Sequence, residues 1–163
     1  MGFEKLSPDI LRQHKGISFT GITTVFLCHD GQGRIFLAQR SKKARDEHGR
    51  WDPGAGGLKH GVSVEENMLR ELKEEYDTEP LRSDFIGYFD AFRKSPSGKP
   101  SHWVALVFAV LVKPAKVKIN EPEMLDNSGW FTLDSLPTPM HSQFKIFLDK
   151  YEQEVKVLIN QPL

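Results

Sequence analysis

The chain has no second cysteine, no net charge and no long apolar run, and each absence removes a class of protein. A lone Cys28 excludes a disulfide framework or a cysteine zinc site within one chain. Its apolar neighbours read as the setting of a buried structural thiol. Lys plus Arg and Asp plus Glu both number 22, so a broad footprint for a nucleic acid polymer or a membrane surface is not expected. A small phosphate pocket survives that neutral sum. No apolar stretch approaches the roughly 20 residues that cross a bilayer, and Met1-Gly2-Phe3-Glu4-Lys5 has no signal-peptide core. A cytoplasmic protein is the expectation. Repeats and low-complexity tracts are also missing. What remains is 163 residues, 39% hydrophobic and 27% charged, enough for a single domain with a real core over residues 1–163.

Residues 1–17 read as an N-terminal extension, with Ser7 as cap and Pro8 opening a short helix. Thr20 to Leu27 is β-branched and apolar, a strand. His29-Asp30-Gly31-Gln32-Gly33 is turn chemistry, and Arg34 to Gln39 returns as the second arm of a hairpin. Arg40 to Arg50 is a charged loop, followed by a Gly/Pro-rich stretch from Trp51 to Gly57. Ser63 with Glu66 forms a capping box. Val64, Met68 and Leu72 then mark the buried stripe of a helix ending near Tyr76-Asp77. Phe85 to Phe92 and Trp103 to Val112 are further strands, joined by a long basic loop from Arg93 to His102. A short strand from Gly129 to Thr132 precedes a helix over Ser142 to Leu158, with Phe144, Phe147, Leu148 and Tyr151 on its apolar side. Strands, helix, strands, helix predicts an α/β fold, a layered α/β/α domain with a mixed sheet.

Glu71, Glu74 and Glu75 stand at i, i+3 and i+4, so they share one helix face. Carboxylates that close repel one another, and a hard divalent cation with a preference for oxygen relieves the repulsion. The cluster is a candidate Mg²⁺ or Mn²⁺ site.

Gly56, Arg70, Glu71, Leu72, Glu74 and Glu75 fall at the spacing of the Nudix box, G-x5-E-x7-R-E-U-x-E-E-x-G-U with U aliphatic. The preceding Gly56-Gly57 pair and the helix cap fit as well. Ile35 to Arg40, Glu121-Pro122-Glu123, Gly129-Trp130-Phe131 and Leu136-Pro137 extend the likeness across roughly residues 18–150. The chain therefore resembles the MutT-like Nudix hydrolases. Three positions depart from the box: Val62 replaces its glutamate, Asp77 its glycine and Thr78 its last aliphatic residue. Asp tolerates the left-handed backbone of a helix C-cap better than most residues, so the turn is expected to survive.

The resemblance implies a Nudix-type α/β/α sandwich and a pyrophosphohydrolase. Such an enzyme cleaves the diphosphate linkage of a nucleoside diphosphate derivative, using Mg²⁺ or Mn²⁺. Glu71, Glu74 and Glu75 would hold the metal, with Glu71 doubling as base and Arg70 orienting a neighbouring glutamate. A further acid would come from Glu123 or Glu121. Arg40, Lys42, Lys43 and Arg45 could meet phosphate oxygens, although the last three read equally as solvated charges. Trp51, Phe92 and Trp103 could stack on a base or belong to the core. His60 has no assigned role, and the basic loop is a lid or a connector. A homodimer is common among relatives. Val62 and Asp77 keep open a Nudix-fold module without catalysis that senses a nucleotide or partner. An isoprenoid-diphosphate isomerase would need an active-site cysteine, and Cys28 sits mid-strand.

Overall fold

The computed structural model describes residues 7–163. Its elements in chain order are α1 (Pro8–His14), β1 (Gly21–His29), β2 (Arg34–Arg40), β3 (Trp51–Asp52), β4 (Gly54–Gly57), α2 (Val64–Tyr76), β5 (Arg82–Lys94), β6 (Pro100–Leu111), β7 (Leu125–Thr132) and α3 (Ser142–Ile159). The seven strands form one mixed sheet in the order β3-β2-β1-β6-β5, with β4 on β1 and β7 on β2. The predicted α/β class and layering are what the chain adopts.

The sheet forks at β1. Along its full length β1 runs parallel to β6, from Gly21 opposite Trp103 to His29 opposite Leu111. Its other edge is shared. Residues Thr23 to Phe26 pair with β4, and only His29 reaches β2, opposite Ile35. The expected hairpin is thus joined at its base and splayed beyond it. The stretch from Trp51 to Gly57, expected to be irregular, supplies β3 and β4 instead. Small residues explain the second of these. The Phe26 ring lies where a Cβ on Gly54 would sit, so β4 reaches β1 there only because position 54 has no side chain.

A second expectation also changes. β5 and β6 pair from Arg82 opposite Leu111 to Lys94 opposite Pro100, with one bulge between Phe85 and Gly87. The long basic loop shrinks to a turn over 95–99, closed by Ser95 N–H to Lys99 O and Gly98 N–H to Ser95 O, both 2.8 Å. Arg93 and His102 belong to paired strands, which no mobile lid would allow.

α2 follows its sequence signals closely. Ser63 Oγ accepts from Glu66 N–H at 3.2 Å, and Glu66 Oε2 accepts from Ser63 N–H at 3.0 Å. Asp77 takes the left-handed cap at φ 42, ψ 36, and Lys73 pairs with its carboxylate at 2.7 Å. The box glycine is therefore replaced without loss of its turn. Met68, Leu72 and Tyr76 bury against Phe26, Cys28 and Phe36 on one face of the sheet. On the other face, Phe144, Phe147, Val155 and Ile159 of α3 pack on Leu27, Ile35 and Leu37.

At Tyr151, α3 kinks (φ −127, ψ 20). The Tyr151 hydroxyl accepts from Tyr88 N–H at 3.0 Å and donates to Tyr88 O at 2.7 Å. The bulge beside it needs Gly87, since a Cβ there would overlap the Tyr151 ring.

His29 ends β1 fully buried, its Nδ1 accepting from Gly31 N–H at 3.2 Å. Burial, then the Arg82 charge, lowers it to about 4 from the ordinary 6.5. The unfolded chain therefore binds a proton before the folded one does, so stability present above pH 6.5 is lost as pH falls towards 4. Between pH 4.5 and pH 7, urea titrations should show His29→Gln gaining about 2–3 kcal/mol less stability than the unaltered protein gains. A pH profile unaltered in the variant would clear His29 of the effect.

Candidate active site

α2 presents its carboxylates to β4. Glu71 lies directly over Gly56, where any Cβ would overlap its carboxyl group. Arg70 locks the arrangement from the side. Its Nη2 donates to Glu71 Oε1 at 2.6 Å and to Asn67 Oδ1 at 2.7 Å. Its Nη1 donates to both oxygens of Glu74, at 3.0 and 2.9 Å.

Asn67, wholly buried, connects this group to the sheet. It donates through Nδ2 to Thr24 Oγ1 at 2.9 Å and Gly56 O at 3.3 Å, and Oδ1 accepts from Lys59 N–H at 3.2 Å. The hydroxyls of Thr23 and Thr24 also donate to Gly56 O, at 3.1 and 3.2 Å. Four donors and acceptors from β1, β4 and α2 thus fix the Gly56 backbone beneath Glu71. Sequence reasoning overlooked Asn67. Its signal was present: a polar residue three positions after Val64, on the stripe that buries.

The carboxylates feel one another. Burial, then the charges of Glu71, Glu121 and Asp52, pushes Glu75 well above the usual carboxylate range, against a hydrogen bond from the Ala55 backbone. Burial, then Glu71 and Glu74, raises Glu121. Of the two downstream acids, Glu121 is the one in electrostatic reach of α2. Glu123 is 77% exposed and pairs with Lys43 at 3.3 Å, so its charge is directed elsewhere. Among the described residues no three His, Cys, Asp or Glu groups converge into a finished metal cage. The donor set nevertheless fits a hard divalent cation: it is all oxygen, and its mutual repulsion is what such an ion relieves. Val62 stands half-buried in the turn before α2 with no ligand atom to add.

Beside β4 opens a cavity of about 210 Å³ whose wall includes Ala55 and Gly56. The carboxylate group and the cavity therefore share a strand. Arg40 lines the cavity, but its guanidinium is engaged. Nη2 reaches Asp46 Oδ1 at 2.9 Å and Nη1 lies 3.6 Å from Asp52 Oδ2. Arg93 Nη1 meets the other oxygen of Asp46 at 3.3 Å. Asp52 is raised by burial first, and the charges of His141, Arg40 and Arg93 pull it back down. His141 caps α3, accepting Gln143 N–H on Nδ1 at 3.2 Å.

The aromatic candidates divide. Trp103 is buried and lines the cavity, with the Arg45 guanidinium 5.6 Å from its ring centre. Trp51 does not line it: its indole stands edge-on to Phe131 at 5.2 Å within the core. Phe92 is exposed and stacks on His102 at 4.5 Å. Asp46, Asp52, His141 and Gln143 had no local signal in the sequence. They come from a loop, β3 and the start of α3, and only the fold joins them.

Residues 20–151 match the family model of the NUDIX domain. The crystal structure of a MutT NUDIX hydrolase from Burkholderia pseudomallei superimposes with a TM-score of 0.70 at 27% identity, covering 80% of this chain and 97% of that one. The NUDIX domain of Shewanella oneidensis NrtR, solved with ADP ribose, gives a TM-score of 0.66 at 17% identity, covering 92% and 99%, a likeness of fold. A Bacillus subtilis (strain 168) protein named "Putative ADP-ribose pyrophosphatase YjhB" is 31% identical over 83 residues. That match takes in 49% of this chain and only 39% of that protein. Gly56 beneath Glu71, the Arg70 side chain that clamps that carboxylate and the family match over residues 20–151 agree: the chain belongs to the NUDIX family.

Proposed function

We propose that the chain hydrolyses the diphosphate linkage of a nucleoside diphosphate derivative with the help of Mg²⁺ or Mn²⁺. The observation that carries this reading is the adjacency of the α2 carboxylates and the cavity through Ala55 and Gly56. Glu71, Glu74 and Glu75, with Glu121, would hold the metal. When bound, such an ion neutralises diphosphate charge and lowers the pKa of a bound water. The protein's own groups do the rest. Arg70 aims Glu71, which would take the proton of the attacking water. Asn67 and the two threonines keep the Gly56 backbone where Glu71 needs it. The cavity would receive the nucleoside end, against Trp103.

A panel of diphosphates, with and without each ion, tests the reading. ADP-ribose comes first, because the Bacillus subtilis relative is named for it. Metal-dependent turnover of one class is the expected result. Glu74→Gln should then cut turnover by at least about a hundredfold, since losing even an outer-shell partner costs 10–100-fold, with unchanged circular dichroism. Full activity in that variant would move the metal off α2.

Val62 is the observation that favours a binding module instead. Tight nucleotide binding with no turnover across the panel would establish it. The isomerase reading has no support in the fold: Cys28 is fully buried in the core, and burial, then the Glu75 charge, pushes its thiol up.

A further inference from the structure

Two polar atoms in the wall of the cavity have nothing to bond. Gln143 Oε1 and Arg93 Nε are both buried without a hydrogen-bond partner among the described residues, and both residues line the cavity. Buried polar groups are nearly always satisfied, and an exception calls for a ligand, water or strain to explain it. Gln143 as a whole is 9% exposed.

Its amide orientation follows from its neighbours. Ser142 Oγ gives its one proton to Glu47 Oε1, an acceptor only, at 2.6 Å. The hydroxyl can then only accept, and Gln143 Nε2 donates to it at 3.3 Å. The carbonyl oxygen is therefore the end left open. Arg93 is similarly half used. Its Nη1 is committed to Asp46 and lies 3.4 Å from His141 Nε2, while Nε is idle. His141 lies next to both, since its Nδ1 accepts the Gln143 N–H. The residues that carry this open acceptor and open donor thus share the wall of one cavity, which also includes Trp103 and Phe144.

A partly aromatic wall that carries one acceptor and one donor fits a planar ligand with a donor beside an acceptor. A nucleobase with an exocyclic amine next to a ring nitrogen, such as adenine, presents that edge. We propose that Gln143 Oε1 accepts the exocyclic amine of such a base and Arg93 Nε donates to its ring nitrogen, so that this pair selects the base. The proposal rests on the reading above in taking a nucleotide as the ligand. It needs no bond to be broken.

The test is calorimetric titration of the full chain, without metal, with AMP and with purine riboside 5′-monophosphate. These two differ only in the amine. AMP should bind about tenfold more tightly, the effect of satisfying one buried acceptor. In Gln143→Leu the two affinities should come within about twofold of each other, mainly through weaker AMP binding. Gln143→Met, of similar length, replaces that variant if it does not fold. Equal affinities in the unaltered protein, an amine preference that survives the substitution, or no AMP binding would each overturn the proposal. Preserved amine selection with no hydrolysis of any diphosphate would overturn the hydrolase reading alone. Hydrolysis without amine selection would overturn this one alone.

Discussion

Gly56→Ala should remove turnover while leaving the protein folded. A methyl group at this position overlaps the Glu71 carboxyl group, the flexible end of a side chain, so the backbone need not move. What must move is Glu71, which is held between the Gly56 backbone and Arg70. Its departure breaks the pair with Arg70 and takes the carboxylate away from the position from which it would meet water and metal. A displacement of about 1 Å costs on the order of a hundredfold in rate, so a fall in kcat of at least about that size is expected. The melting temperature should shift by only a few degrees. Gly57→Ala is the matched control. The nearest atoms to a Cβ there are Lys15 Nζ at 3.6 Å and the Trp103 ring at 3.9 Å, ordinary contacts. Near-normal activity in Gly56→Ala, or equal loss in both variants, would show that Glu71 does not need its present seat.

Glu75→Gln should move stability and activity in opposite directions. In the metal-free protein the Glu75 carboxylate is disfavoured by burial and by Glu71, Glu121 and Asp52. Its folded pKa stands above the ordinary value, so the folded chain holds that proton longer. The Glu75 contribution to metal-free stability accordingly declines as pH rises from about 4.5 through the folded value. Gln carries no charge and keeps an oxygen for the Ala55 bond. At pH 7 the metal-free variant should melt about 2–4 °C higher, corresponding to about 1 kcal/mol in a domain of this size. Adding Mg²⁺ or Mn²⁺ should raise the melting temperature of the unaltered protein, by linkage, and leave the variant where it was, without turnover. A variant that melts lower without metal would mean that the charge at position 75 is compensated within the fold.

These two expectations draw on different kinds of information. The face shared by Glu71, Glu74 and Glu75, the capping box and the buried stripe of α2 are local properties, readable from spacing. So was the left-handed turn at Asp77, because residue type limits who can adopt it. The two strands between Trp51 and Gly57 were not readable, since glycine argues against strand on propensity. β4 fits because glycine at position 54 leaves room for the Phe26 ring. The basic loop was misjudged for the reverse reason: Lys94 and Pro100 look like loop residues, but pairing between β5 and β6 outweighs their preferences. Trp51 and Trp103 are indistinguishable by type, and sheet geometry alone sets Trp103 against the cavity and Trp51 against Phe131. Likewise nothing in Glu121-Pro122-Glu123 tells which acid faces α2. Asp46, Asp52, Arg93, His141 and Gln143 come from four separate segments, and no single-window reading gathers them.

β5 lies at the end of the sheet, and an outer strand of 13 residues is an inviting template for a foreign chain. The Tyr151 hydroxyl occupies both backbone groups of Tyr88, so a visiting strand finds the middle of that template already taken. The kink in α3 that delivers the hydroxyl is therefore more than a flaw in a helix. It plugs the edge at one point, where a pairing strand would need both groups of Tyr88.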